Sequence, residues 1–421
     1  MTNYQDILAS KNQNNFPFIS FFRINPPKKL YNFISLKRKM ETIKGFKDKT
    51  GKEAEKAAFI REIAKQTFEK YNFEEAETPI IEYEKFVKSG SDEADEAISD
   101  VFKLRDKGKR NLALRYEFTF QLKRIAKNKK LPYKRFQIGP VFRDEPVKGN
   151  RLRQFTQCDI DVIGAKIPDQ AEILSAVSDI LNALKIKYKI YVNNRALLNE
   201  ILDKLKIKNK IEVIRELDKL DKLPLNEVKT NLKKIQAETL LEEINKPEKE
   251  FEKYASYQEI KELKKYAKKY NVEIIFQPSL ARGLSYYTGN VFEIKSDIKE
   301  TICGGGTYLI GGNISSGISF SIERLMAVTK IIIDIEKILI ISLNEDSQAI
   351  KISKQLRKQG KNVSVYYGKP SKALEYANSY GIKTVIFIGK KENETKKLKV
   401  KNLLTGKETY TTIEKNKPLK I

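Results

Sequence analysis

Between residues 51 and 71, apolar Ala54, Ala57, Ala58, Ile60, Ile63, Ala64 and Phe68 recur at helical spacing among lysines and glutamates. The pattern predicts a long amphipathic helix that stops before Asn72. Residues 75–83 (EAETPIIEY) then read as extended, and Pro79, which has no N–H to give a central ladder, favours an edge or interface strand. Further strand-like runs at 112–116, 133–142 and 155–163 follow without regular strand–helix–strand alternation. They predict an antiparallel sheet in an α+β domain spanning residues 40–330.

From 170 to 270 the pattern is mostly helical, with Pro224 and Pro247 as punctuation, and the part from about 193 to 270 reads as an inserted helical subdomain. After 331 the character changes. Strand patterns at 337–343, 362–367 and 383–388 alternate with helical ones at 346–359 and 370–380, which predicts a small α/β domain over 331–421 with a largely parallel sheet. Residues 1–39 show neither period and end in Lys37-Arg38-Lys39. They read as a basic arm, or as an extension upstream of a true start at Met40.

Composition narrows the chemistry. A chain of 421 residues holds two or three domains, and at 40% hydrophobic and 32% charged it is globular. It has no run of about 18 apolar residues that would span a membrane. Cys158 and Cys303 stand far apart in sequence, so neither a disulfide framework nor a paired-thiol zinc site can be written, and a reducing cytoplasm is expected. There is no His, which excludes Ser-His-Asp and Cys-His triads and His-ligated metals. The net charge of +26 divides as +6 over 1–39, +10 over 40–330 and +10 over the shorter 331–421, a footprint that calls for a polyanion such as nucleic acid.

Four segments concentrate polar residues in apolar surroundings. In LALRYEFTFQLKR (112–124), Arg115, Glu117 and Thr119 alternate and are expected on one face of a strand. FQIGPVFRDEPVKGNRLRQFTQCDIDVIG (136–164) reads as two strands joined by a polar loop, with Arg143 and Glu145 at the turn. Its returning strand aligns Arg153, Phe155, Gln157, Asp159 and Asp161 as a polar row, either solvated or lining a site. PSLARGLSYYTGNVFEI (278–294) places Arg282 before the paired Tyr286 and Tyr287, and arginine can bridge phosphate or carboxylate oxygens with two donors. CGGGTYLIGGNISSGISFSIERL (303–325) carries a glycine triplet, for which a tight turn is the commoner reason, and Arg324 on a helix. No phosphate loop and no GxGxxG opens a helix, so a bound nucleotide would be held by arginines on a sheet.

At these segments the chain resembles the class II aminoacyl-tRNA synthetases, and among them the histidyl-tRNA synthetase family, over residues 43 to about 415. KGFKD (44–48) and ETPII (77–81) look like that family's start and its dimer-interface motif. FRDEP leading to RLRQFTQCDIDVIG looks like its ATP-binding motif, and RGLSYYTGNVFE is similar to its histidine-binding signature. The resemblance implies a class II antiparallel catalytic sheet flanked by helices, a helical insertion and a C-terminal α/β anticodon-binding domain. It implies that histidine and ATP form histidyl-adenylate, and that the histidyl group then passes to the 3′ end of histidine tRNA, with Mg²⁺ accompanying ATP, no metal held by the chain itself, a homodimer and a cytoplasmic location.

By the same resemblance Arg143 holds the α-phosphate, Glu145 belongs to the ATP site, Arg324 holds the γ-phosphate, and Arg282 stabilises the α-phosphate and the substrate carboxylate. Glu117, Thr119 and Gln157 match positions that bind the α-amino group, and Asp161 and Tyr287, supported by Tyr286, match those that recognise imidazole. The chain departs from the family at Ser285, where Asp is frequent, and at Thr307-Tyr308-Leu309, where Arg-Tyr-Asp is usual, which resembles an archaeal-type variant. In the last domain Tyr366 and Tyr367 could stack on bases, though their strand position favours core packing. The competing reading is a non-catalytic synthetase-like regulatory subunit of ATP phosphoribosyltransferase. Such paralogues usually lack the anticodon domain or catalytic arginines, whereas this chain keeps Arg143, Arg282, Arg324 and a basic tail. A general RNA-binding protein would explain the charge but not the polar pocket.

Overall fold

A computed structural model describes residues 41–88, 100–147, 151–221, 223–282, 286–298 and 300–412, so the expected arm 1–39 and Ser285 lie outside the described residues. The chain opens with helix α1 (Gly51–Lys70), followed by β1 (Glu74–Glu75), β2 (Ile81–Tyr83), α2 (Glu84–Lys88), β3 (Lys103–Arg105), β4 (Asn111–Leu114) and α3 (Thr119–Ile125). Next come β5 (Tyr133–Phe142), β6 (Gln154–Ile163), α4 (Ile167–Ala183) and β7 (Lys189–Asn194). Helices α5 (Arg195–Lys204), α6 (Lys210–Leu217), α7 (Leu225–Lys234), α8 (Thr239–Ile244) and α9 (Tyr257–Lys269) precede β8 (Ile274–Phe276), β9 (Tyr287–Lys295), β10 (Cys303–Ile310), β11 (Asn313–Ser321) and α10 (Ile322–Val328).

Eight strands form one sheet in the order β1-β5-β6-β11-β10-β9-β7-β8. Its six central strands pair antiparallel, and only the outer pairs β1–β5 and β7–β8 are parallel. Period-two alternation decides which face is apolar. Phe136, Cys158, Ile160, Val162, Ile190, Val192, Phe292 and Phe320 all enter a core shared with α1 and α4. Helix α1 contributes Ala57, Ile60, Ala64 and Phe68, the stripe its spacing predicted. The Phe68 ring centroid lies 5.4 Å from that of Phe136 and 6.3 Å from that of Phe320, which ties the helix to two strands. From α5 to α9, Ile201, Val213, Leu232, Leu240 and Ile260 join the same core.

Two local expectations differ from the structure. The strand expected over 112–116 ends at Leu114 and belongs to a separate three-stranded sheet, β2-β4-β3, so Arg115, Glu117 and Thr119 do not share a strand face. Thr119 instead opens α3. Within the stretch 170–270, expected to be mostly helical, residues 189–194 form β7, which pairs with β8 and β9 and sends Ile190 and Val192 into the core. Asn194 at its end caps α5, its Oδ1 accepting from the N–H groups of Ala196 (2.8 Å) and Leu197 (3.2 Å).

The final part comprises β12 (Lys337–Ser342), α11 (Asp346–Lys358), β13 (Asn362–Tyr367), α12 (Pro370–Ser379), β14 (Thr384–Ile388), α13 (Lys390–Thr395), β15 (Lys397–Asn402) and β16 (Glu408–Thr412). The three expected strands are parallel to one another, and the unforeseen hairpin β15–β16 adds two antiparallel strands in the order β13-β12-β14-β15-β16. Tyr366 packs its ring 5.5 Å from that of Tyr376, while Tyr367 is exposed, so only one of the two tyrosines follows the core expectation.

Phe68→Ala removes a fully buried ring between helix and sheet and should cost about 3 to 5 kcal/mol. Denaturant unfolding checks this, and a loss under about 1 kcal/mol would show that α1 is not anchored there.

Candidate active site

The face of the sheet opposite the helical core is built on β6. Because Cys158, Ile160 and Val162 point into the core, Gln157, Asp159 and Asp161 point the other way. None is more than 4% exposed, so this polar row lines an enclosed site and is not a solvated surface. The ladder aligns Gln137 and Ser319 with Asp159 on either side, and Arg135 and Gly317 with Asp161. One strand further, Gly304 lies opposite Ser319 and Gly306 opposite Gly317.

The glycine triplet is therefore part of a strand and not a tight turn. Its missing side chains make room: a Cβ on Gly304 would overlap the Arg282 guanidinium, one on Gly317 the Asp161 carboxylate, and one on Gly306 would lie 2.8 Å from the Tyr287 ring. Glycine floors the site here because the charged and aromatic side chains need the space.

Two cavities open over this floor and share Arg143, Gln157, Arg282, Gly304 and Ser319. The first, of about 200 Å³, also holds Arg151, Arg324, Glu145 and Glu323. Arg143 lies over the rings of Tyr116 (4.4 Å) and Phe155 (5.0 Å) and donates to Gln157 Oε1 at 3.3 Å. Arg282 donates to Glu293 Oε1 at 3.0 Å, and Thr301 donates to the other oxygen of that carboxylate at 2.9 Å. Arg324 sits in the first turn of α10, where Ser321 Oγ accepts from its N–H at 3.1 Å, and its guanidinium donates to the Thr301 carbonyl at 2.7 Å. Burial, with Arg143 and Arg151 nearby, lowers the Arg324 pKa, as expected where cations crowd a cleft. Glu145 is held by Arg151 at 2.9 Å.

The second cavity, of about 190 Å³, brings together Glu117, Thr119, Asp159, Asp161, Tyr286 and Tyr287, with Tyr308 beside them. Burial pushes the Glu117 carboxyl up to about 7, against the pull of Arg143. Burial likewise raises Asp161, opposed by Arg135, and Asp159, on which the Asp161 charge adds. Tyr286 Oη donates to Glu117 Oε2 at 3.5 Å, and Tyr308 Oη donates to Asp161 Oδ1. A site with three buried carboxyl groups suits a ligand that brings its own cation and N–H donors.

Every described residue to which the resemblance gives a role at the site borders one of these cavities: Glu145 and Arg324 the first, Glu117, Thr119, Asp161, Tyr286 and Tyr287 the second, and Arg143, Gln157 and Arg282 both. Arg115 does not, because it turns away to donate to the carbonyls of Thr78 and Pro140, both at 2.7 Å. Tyr308 and Glu293 escaped the sequence reading, although Tyr308 stands in one departing tripeptide and Glu293 ends the RGLSYYTGNVFE signature.

The two glycines predict opposite defects. Gly304→Ala displaces only the end of the Arg282 side chain and should leave stability within about 1 kcal/mol, whereas Gly305→Ala drives a methyl into the Gly317 carbonyl of the neighbouring strand and should cost about 1 to 3 kcal/mol. Paired denaturant melts check the order, and equal losses would contradict it.

A family profile described as histidyl-tRNA synthetase matches residues 45–325, and one described as an anticodon binding domain matches 337–417. Histidine–tRNA ligase 1 of Bacillus cereus is 31% identical over 411 residues, covering 88% of this chain and 94% of that one. The Wolinella succinogenes histidine–tRNA ligase is 32% identical over 423 residues, covering 87% and 94%. Among solved structures, histidyl-tRNA synthetase from Nostoc shares the fold with a TM-score of 0.76 at 23% identity, covering 89% of this chain and 97% of that one. A Bacillus halodurans structure titled an ATP phosphoribosyltransferase regulatory subunit/histidyl-tRNA synthetase shares it with a TM-score of 0.71 at 19% identity, over 83% and 98%. With its family profile covering the whole catalytic sheet and relatives above 30% identity along most of its length, the chain belongs to the histidyl-tRNA synthetase family.

Proposed function

We infer that the chain is a histidine–tRNA ligase, which activates histidine with ATP and transfers it to histidine tRNA. The observation that carries the reading is the pair of adjoining cavities with a common wall of Arg143, Gln157 and Arg282. The cationic cavity suits a triphosphate, the acidic and tyrosine-lined one suits an amino acid with an imidazole, and the wall lies where carboxylate and α-phosphate would meet. In the first step a carboxylate oxygen of histidine bonds to the α-phosphorus as the bond to the bridging oxygen breaks and pyrophosphate leaves. Arg143 and Arg282 supply preformed positive charge at that phosphorus, and Arg324 takes the outer phosphate. In the second step a hydroxyl of the terminal adenosine attacks the carbonyl and AMP leaves.

Glu117, Thr119 and Gln157 would take the α-ammonium, and Asp161 with Tyr287 the ring N–H groups. An apolar isostere is then rejected because it would leave those buried groups unpaired. For Mg²⁺ the cleft offers Glu145 and Glu323, the latter tied to Lys49 and to the Thr156 N–H, and among the described residues no group of three or more Cys, Asp or Glu is arranged as a metal site. This donor set fits an ion carried mainly by the phosphates, where it would neutralise their charge.

A homodimer is supported by Ile80, Ile81, Tyr83 and Leu104, exposed at 41%, 50%, 57% and 38% on and beside the small sheet into which the expected interface motif runs. The exposed Tyr367 and the local charge of +10 suit contact with an anticodon stem-loop. Among the described residues no helix is long and apolar enough to cross a membrane, and a translation enzyme of this family fits a cytoplasmic location. The regulatory-subunit reading accounts for neither the three clustered arginines nor the second domain.

Two outcomes test this. Histidine-dependent ATP–pyrophosphate exchange should be present in the wild type and fall at least about a hundredfold in Arg282→Ala, and undiminished exchange would remove that residue from the reaction. Below about pH 7 Glu117 is protonated and loses its attraction for the α-ammonium, so KM for histidine should rise as pH falls. The imidazole of the free substrate titrates nearby, and Glu117→Gln separates the two: the variant should start from a higher KM and show a flatter profile, and an unchanged profile would contradict the assignment.

A further inference from the structure

Arg135 is buried without exposure under the amino-acid cavity, and no step described above uses it. It stands directly opposite Asp161 in the β5–β6 ladder, with Nη2 2.8 Å from Asp161 Oδ2 and 3.3 Å from the Phe118 carbonyl. Its Nε and Nη1 have no hydrogen-bond partner among the described residues. A buried guanidinium this poorly satisfied is costly to keep, so it calls for a reason beyond packing.

The reason lies in what faces it. Asp159 and Asp161 project side by side from β6, both nearly fully buried, and Asp159 Oδ1 also lacks a partner among the described residues. Around the pair stand Tyr308 from β10, Tyr287 from β9, and Glu117 and Tyr286 from the connecting segments, while Gly317 on β11 contributes only space. Arg143 and Arg282 are the cavity's other cations, and they are engaged by Gln157 and Glu293. That leaves Arg135 as the cation in ion-pair contact with Asp161.

Resting on the reading of this cavity as the histidine site, we propose that Arg135 is a positioning residue for substrate recognition: it acts through Asp161, keeping that carboxylate charged and turned toward the substrate imidazole. Two buried carboxylates two residues apart cannot both stay ionised without a local cation. When Arg135 is lost, the Asp159–Asp161 pair holds a proton to higher pH, and the charged acceptor for the ring N–H is lost with the negative charge. Burial already raises both carboxyl groups, and Arg135 opposes this at each. The defect must therefore be largest at low pH and shrink as pH rises.

The test is pyrophosphate exchange by the full chain at several pH values, with KM read separately for histidine and ATP, in Arg135→Met, Arg135→Lys, Asp161→Asn and the double variant. Arg135→Met should raise KM for histidine at least about tenfold near neutral pH, leave KM for ATP within about threefold, and recover toward the wild type as pH rises; Arg135→Lys should restore most of the loss. A rise that is equal for both substrates and independent of pH would reduce Arg135 to a structural part and overturn the proposal. So would an unchanged KM for histidine. If Arg135→Met does not fold, the double variant, which removes both charges, decides: the proposal requires its KM for histidine to match that of Asp161→Asn, and a markedly worse value overturns it. Absence of histidine-dependent exchange in the wild type would instead strike the functional reading itself.

Discussion

The structure turns on one constraint: a sheet that buries charge on one face must supply opposite charge and empty space within reach of every charged group. Gln157, Asp159 and Asp161 alternate with core residues along a single strand, so the same strand that seals the helical core also sets the acids of the cavity. Arg135 beneath, Arg143 and Arg282 at the wall, and glycines on β10 and β11 make that burial tolerable. Where the cations outnumber the acids, in the neighbouring cavity, the excess positive charge is what a triphosphate needs.

That arrangement also explains why two substrates of opposite character can meet. The acidic cavity attracts an ammonium and the basic one attracts phosphates, and they join at Arg143 and Arg282. A carboxylate placed between them faces both guanidinium groups, so orientation follows from electrostatics before any group moves.

Much of this was legible in the sequence because it is periodic. The stripe of α1, the ten-residue strands on either side of Arg143, and the polar parity of Gln157, Asp159 and Asp161 all follow from local spacing. What local spacing cannot carry is register across strands. Nothing in the sequence says that Arg135 faces Asp161, that Tyr308 reaches the same carboxylate, or that Glu293 holds Arg282, since each contact joins separate strands or segments. β7 is a different case, a short alternating run set between long helical patterns, whereas the same limit of register made the strand that floors the site look like a glycine turn. Arg115 failed for the opposite reason: alternation was assumed to continue past Leu114, where the strand had already ended.

The central claim is that buried acids and tyrosines select an imidazole-bearing amino acid beside a cationic phosphate cleft. Amino-acid-dependent ATP–pyrophosphate exchange with each of the standard amino acids tests it most directly. The account predicts exchange with histidine alone. Comparable exchange with an apolar or aromatic amino acid, or none with histidine from folded protein even when tRNA is added, would contradict it.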